Sequence, residues 1–204
     1  MRYFKKRLNQ AIVWFSIWLG LVSLLSPAYA EGVLSSQANF RSVMVTTPKE
    51  NQANLALELD LLLSDELKNA LSKGMPLFFT LDVELHRPRQ WWFDQMIYQG
   101  SRTIGIRYNM LLREWRIYQN NKEYREFSLE DALQRITRVN NWGVALEHTL
   151  VEKTLYEGRI RLRLDTSLLA RPFQITALNN SSAWSFSSSW KNFNFHFSAA
   201  EPNA

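Results

Sequence analysis

The chain reads as a mainly β protein, an antiparallel β-sandwich or, less simply, a partly closed barrel, with two short amphipathic helices. Three observations carry this expectation. Apolar side chains recur with period two in several short segments, the period of a strand with one buried face. Turn-forming residues punctuate these segments at short intervals, as in a sheet folded back on itself. Only two stretches combine helical apolar spacing with cap residues.

The clearest strand is Ala53 to Leu61, where Leu55, Leu57, Leu59 and Leu61 alternate with Ala56, Glu58 and Asp60. In Leu77 to His86, Leu81, Val83 and Leu85 alternate with Asp82, Glu84 and His86. In Arg159 to Asp165, Ile160, Leu162 and Leu164 alternate with four charged residues. Each segment has one oily and one charged face. Further strands are predicted at Phe40 to Thr46, Trp91 to Tyr98, Arg102 to Leu111, Trp115 to Gln119, Glu123 to Phe127, Trp142 to His148 and Phe193 to Phe197. Asn120-Asn121 favours a tight hairpin, because Asn tolerates positive φ at little cost.

The first helix is expected over Asp65 to Lys73, with Ser64 as N-cap and Gly74 able to take the left-handed conformation that closes it. The second is expected over Leu129 to Val139 behind the cap Ser128, with Leu129, Ala132, Leu133, Ile136 and Val139 on one face. Glu130 and Asp131 occupy its first turn, where the helix dipole favours negative charge. Ser181 to Ser189 is interrupted by Trp184 and Phe186, so it reads as a patterned segment and not a flexible tether.

The start of the chain is of another kind. Arg2, Lys5, Lys6 and Arg7 precede an apolar run from Ala11 to Leu25, followed by Pro27 and an Ala28-Tyr29-Ala30 ending. That run is about fifteen residues, shorter than the ~20 that span a bilayer, and small residues close it. Residues 1–30 are therefore expected to be a signal peptide cleaved after Ala30, with 31–204 a single exported β-rich domain. An uncleaved signal would place the same residues in the same compartment, and only then is inner-membrane association expected.

The charge balance follows from this division. Four of the 24 Lys and Arg lie before residue 31 and none of the 19 Asp and Glu do, which leaves the remainder at +1. Such a chain gives no case for nucleic acid as a partner, since that affinity grows with the number of phosphates neutralised. The absence of Cys removes disulfides, thiol nucleophiles and Cys-ligated metals together. The exported part must hold together by burial alone.

No glycine-rich phosphate loop, Gly-x-Ser-x-Gly elbow or His-Glu-x-x-His pattern is present, and no enzymatic activity or cofactor is expected. Asp82, Glu84 and His86 share one strand face, but neighbours there sit ~7 Å apart, too far for three to converge on one ion. Their expected partners are Arg159, Arg161 and Arg163 across the sheet, where an exposed opposite-charge pair contributes about 0.2 to 1 kcal/mol.

Aromatic residues offer the candidate contact surface. If Trp91 and Trp92 lie on a strand, they point to opposite faces, and one of them looks out beside Arg87 and Arg89. Trp and Arg dominate the energetic centres of protein interfaces. Arg87, Arg89, Trp91 and Trp92 are thus the predicted patch, with Arg113 and Trp115 as further candidates.

Several ordered blocks resemble a known family. They are Leu63-Ser64-Asp65-Glu66-Leu67 leading into Ala70-Leu71-Ser72-Lys73-Gly74-Met75-Pro76-Leu77, and Arg87-Pro88-Arg89-Gln90-Trp91-Trp92-Phe93-Asp94. Tyr108 with Leu111, Leu112 and Arg113 follows, then Arg161 through Leu169 with Pro172, and Trp184 and Trp190. In these the chain resembles the proteobacterial family known as domain of unknown function 4390; Ala170 stands where relatives often carry Pro. The resemblance implies an exported protein without assigned catalytic residues, often encoded beside an envelope-sensing histidine kinase of the nitrogen-regulation type. The expected function is a non-catalytic periplasmic interaction module, an accessory to such a sensor kinase. The rival expectation is a periplasmic binding protein for a lipid, glycan or other small apolar ligand.

Overall fold

The computed structural model describes residues 35–91, 93–179 and 181–197. The predicted signal segment and Trp92 lie outside the described residues.

Two antiparallel sheets make up the fold, and they do not close into a barrel. The first has the order β1-β2-β7, from Gln37–Lys49, Gln52–Leu62 and Arg138–Ala145. The second has six strands. In spatial order these are β6 (Lys122–Glu126), β5 (Glu114–Gln119), β4 (Gln95–Asn109), β3 (Leu77–Arg87), β8 (Leu155–Leu164) and β9 (Lys191–His196). Helix α1 (Asp65–Ser72) joins β2 to β3, and α2 (Leu129–Thr137) joins β6 to β7. The sandwich expectation holds in this form.

One hydrophobic cluster unites the inner faces of both sheets. Leu55, Leu57 and Leu59 of β2, Leu81, Val83 and Leu85 of β3, and Ile160 and Leu162 of β8 are buried in it, as the alternation predicts. A buried Leu or Ile contributes about 1.5 to 3 kcal/mol relative to an exposed one. Two register shifts keep other strands in phase with this core. In β1 the pairing slips between Phe40 and Ser42, so both Phe40 and Val43 turn inward. In β7 the slip opposite Leu55 and Leu57 brings both Trp142 and Val139 to the core. An extra residue at a bulge reverses the inside–outside parity, which strict alternation cannot do.

Both predicted caps are in place. The Ser64 and Ser128 hydroxyls accept from the amides of Leu67 and Asp131, and Gly74 has φ 79 beyond the end of α1. Asn120 and Asn121 take φ 50 and 59 in the β5–β6 hairpin. Helix α2 stops two residues before the predicted Val139, because Arg138 and Val139 pair with Glu58 and Leu57 of β2. The adjoining strand ends at Ala145, short of the predicted His148. There the Leu146 and Glu147 amides donate to the carbonyls of Asn51 and Ile97, carrying the chain across to β4.

Two predicted strands, Trp91 to Tyr98 and Arg102 to Leu111, are one. Strand β4 runs unbroken through Gly100, over which the Tyr98 side chain lies so closely that a Cβ would stand 2.2 Å from its hydroxyl. A third helix, α3 (Arg171–Asn179), and a helical turn at Ser181–Trp184 were not predicted. The buried Trp184 donates through Nε1 to Glu66 Oε1 at 2.9 Å, tying this segment to α1. Among the described residues no helix is long and apolar enough to cross a membrane.

Candidate functional site

The β3–β4 connection, residues 88–94, lies at one end of the six-stranded sheet. Pro88 follows β3 directly and cannot donate to a ladder, and Arg89 then fixes the turn. Its amide donates to Asp94 Oδ1 at 3.3 Å, and its guanidinium donates to Gln95 Oε1. On this braced loop Trp91 and Phe93 are 92% and 90% exposed. Trp91 is therefore outward because it sits in a loop, not because it alternates along a strand; β4 begins only at Gln95. Arg87 closes β3, half-buried and in register with Gln95.

Arg113 and Trp115 do not join this group. They lie at the far end of β4, whose 15 residues span roughly 50 Å at ~3.4 Å each. Arg113 is exposed in the β4–β5 connection with φ 53. Trp115 is buried on the inner face, its ring 4.7 Å from that of Tyr108, so it is a core residue and not a contact residue. Its place on the inner side of β5 follows from its pairing with Tyr108 and Glu126.

The outer face of the same sheet carries a charge ladder. Asp82 pairs in register with Arg161 and Glu84 with Arg159, as the sequence predicts. Arg159 reaches Glu84 Oε2 through Nε at 2.7 Å and through a terminal nitrogen at 2.6 Å. Arg161 and Arg163 each donate through Nε to Asp82 Oδ2 at 3.0 Å, and Arg163 continues to Asp165 at 2.9 Å. Trp190 lies over this row, with the Arg159 and Arg161 guanidinium carbons 4.8 and 4.6 Å from its ring centre.

The ladder departs from the expected solvated face in one respect: Glu84 is only 9% exposed. A carboxylate so placed depends on its cation more than a surface one does. At the end of the row, burial alone would raise the Asp165 carboxyl and lower the Arg163 guanidinium. Hydrogen bonds outweigh burial at both. Those from Ser167 and Arg163 hold Asp165 below its ordinary pKa, while those to Asp165 and Asp82 raise Arg163. His86 Nε2 stands 3.4 Å from Glu84 Oε2. Among the described residues no group of three or more His, Asp or Glu is placed to hold a metal ion.

Between the loop and the ladder lies an open depression of about 630 Å³, lined by His86, Phe93, Asp94, Glu157, Arg159 and Asn194. A neighbouring one of about 420 Å³ is lined by Asp82, Glu84, Ser101, Arg161, Arg163 and Trp190. The site thus presents the Phe93 ring beside a polar floor that mixes carboxylates, guanidinium and amide, with Trp91 exposed on the same connection. Such a surface can take planar polar groups by hydrogen bonding and apolar groups by contact with the rings. Of the sequence-predicted residues, Arg89 and Trp91 lie on this connection; Phe93, Glu157 and Asn194, which line the depression, were not among them. The run Trp91-Trp92-Phe93 offered a signal for Phe93. Nothing local points to the other two, which reach the site through pairing of β8 with β9.

A family model described as a domain of unknown function (DUF4390) matches residues 35–194. No curated protein and no solved structure matches the chain.

Proposed function

The chain belongs to the DUF4390 family, and on that footing we propose that it is a non-catalytic interaction module of the bacterial periplasm. Its contact surface is Arg89, Trp91 and Phe93 of the β3–β4 connection with the depression that Phe93 and Asp94 line. The observation that carries this reading is the near-complete exposure of Trp91 and Phe93 on a loop braced by Arg89. Large rings held out in water on an anchored loop bury area on association at little entropic cost, and aromatic and Arg side chains dominate interface energetics. The expected partner is an envelope-sensing histidine kinase, on the strength of the family resemblance. Export rests on the basic, apolar and small-residue order of residues 1–30.

The test is to crosslink the envelope of cells carrying the full chain with a C-terminal tag and to identify the retained proteins by mass spectrometry. Recovery of the kinase with the wild type, and its loss with Trp91→Ala/Phe93→Ala, supports the reading. Equal recovery with both chains sinks the site. The polar floor beside exposed rings also favours a glycan among the ligands of the rival reading. Tryptophan fluorescence of the purified chain titrated with cell-wall oligosaccharides tests it, and a saturable change lost in Trp91→Ala moves the assignment to glycan binding.

A further inference from the structure

The other end of the six-stranded sheet carries a second exposed apolar group. Strands β4 and β5 are joined by Met110-Leu111-Leu112-Arg113, in which Leu111 is 94% exposed and Met110 and Leu112 are also exposed. Phe127, 85% exposed, follows β6 at the same end, because its neighbour Glu126 pairs with Trp115. The tip is a built turn. Asn109 Oδ1 accepts from the amides of Leu111 and Leu112 at 3.1 and 3.2 Å, and Arg113 closes it at φ 53. Three apolar side chains are thus displayed on this turn, Leu111 almost wholly exposed.

Directly behind the tip, on the outer face, stands a row of arginines. Arg107 of β4 is opposite Arg116 of β5, and Arg116 is opposite Arg125 of β6. Like charges directly opposite one another destabilise a sheet. Only the middle one is neutralised, by Glu114 and Glu123, each at 3.1 Å. Arg107, Arg113 and Arg125 have no carboxylate within ion-pair distance among the described residues. The remaining acids at this end are Glu126, paired with Arg135, and Glu130 and Asp131 in the first turn of α2, which packs against the inner face. Among the described residues, Arg107 and Arg125 on the outer face are thus left without a counter-ion.

We propose that this end docks on an anionic phospholipid surface, with Met110, Leu111, Leu112 and Phe127 entering the acyl boundary and Arg107, Arg113 and Arg125 meeting the headgroups. Spacing favours a bilayer. Arg107 is three residues behind Met110, so Arg107 and Arg125, in register across β5, stand ~10 Å behind the apolar turn while Arg113 lies within it; interfacial apolar groups sink about 5 to 10 Å. Charge favours an anionic one, since basic residues near such a surface each add to binding. This inference is independent of the proposed function, whose loop lies at the opposite end of β4.

Because the chain has no Cys, a single environment-sensitive dye can be placed at will. The full chain carrying Leu111→Cys is labelled and mixed with vesicles of phosphatidylglycerol and phosphatidylethanolamine, or of phosphatidylcholine alone; Gln90→Cys labels the other end. The expected result is a blue shift at position 111 on the anionic vesicles only, with no shift at position 90. Adding Arg107→Gln and Arg125→Gln should weaken that shift's vesicle dependence roughly 30-fold, about fivefold for each cation lost. Those two substitutions relieve the like-charge row, so thermal unfolding should show a fold at least as stable. A dye at position 111 that stays in water while the chain sediments with vesicles means another segment binds, and overturns the proposal. So does a shift equal on both vesicle types.

Discussion

Glu84 and Arg159 stand opposite one another on β3 and β8, and two guanidinium nitrogens converge on the single oxygen Oε2. The partners differ in burial: the Glu84 side chain is 12% exposed and that of Arg159 47%, with Trp190 over the guanidinium. The carboxylate is sunk in the sheet and the arginine lies over it. Removing the arginine strands a buried charge, whereas removing both removes the need for pairing. Arg159→Met should therefore cost about 2 kcal/mol and the double variant Glu84→Gln/Arg159→Met about 1. Urea unfolding of both decides. A double variant no more stable than the single one would mean that Glu84 is solvated as the sequence alone implies.

Asp165 gives the ladder a pH dependence. Its carboxyl is held below the ordinary 3.8 by hydrogen bonds from Ser167 and Arg163, which together outweigh burial. A lowered folded-state pKa contributes stability that is present above the unfolded value and is lost as pH falls through the folded one. Thermal stability should thus decline below about pH 4, and Asp165→Asn should flatten that decline while lowering stability at pH 7. An acid limb unchanged in Asp165→Asn would remove Asp165 from it.

Gly158 answers to packing. It lies on the inner face of β8, and a Cβ there would stand 2.3 Å from the Phe193 ring and 3.0 Å from a Leu85 methyl. Strand β9 is held beside β8 by six register pairs, Leu155 to Ile160 against His196 to Lys191. Gly158→Ala must displace the ring and loosen this edge, costing about 1 to 3 kcal/mol as overpacking does. The companion change Phe193→Leu should recover part of the loss. Hydrogen exchange of the β9 amides reports where the strain falls, and protection equal to wild type would contradict the contact.

These cases separate what the sequence disclosed from what it hid. Alternation placed Leu55, Leu57 and Leu59, and Leu81, Val83 and Leu85, because period two follows from strand geometry wherever one face is buried. Caps were legible at Ser64 and Ser128 for an equally local reason. Helix α3 was not. Pro172 near its start is a local signal, but Ile175 is exposed and the segment has no strong apolar stripe. Gly100 falls in the gap between two predicted strands and is instead a seat for Tyr98 within one. At the candidate site, Arg89 and Trp91 stood out as residue types. The distance between Trp91 and Arg113, and the burial of Trp115, depend on how far β4 runs and on which side of β5 the ring falls. Both are set by tertiary pairing.

Arg102 is the sharpest departure from the pattern, since it pairs with Leu81 and so shares the inner face with Ile104 and Ile106. Its Nε is buried without a hydrogen-bond partner, and burial lowers its pKa. The compensation the structure provides is the Trp142 ring, 6.0 Å from the guanidinium carbon. At that distance a cation–π contact contributes about 0.5 to 1 kcal/mol, against about 1 to 3 for a buried donor left unpaired. The balance predicts that Arg102→Leu stabilises the fold by about 1 kcal/mol, read as a higher urea midpoint with an unchanged slope. A lower midpoint would show that the guanidinium is satisfied in solution. The companion Trp142→Leu would then tell whether the ring is what satisfies it.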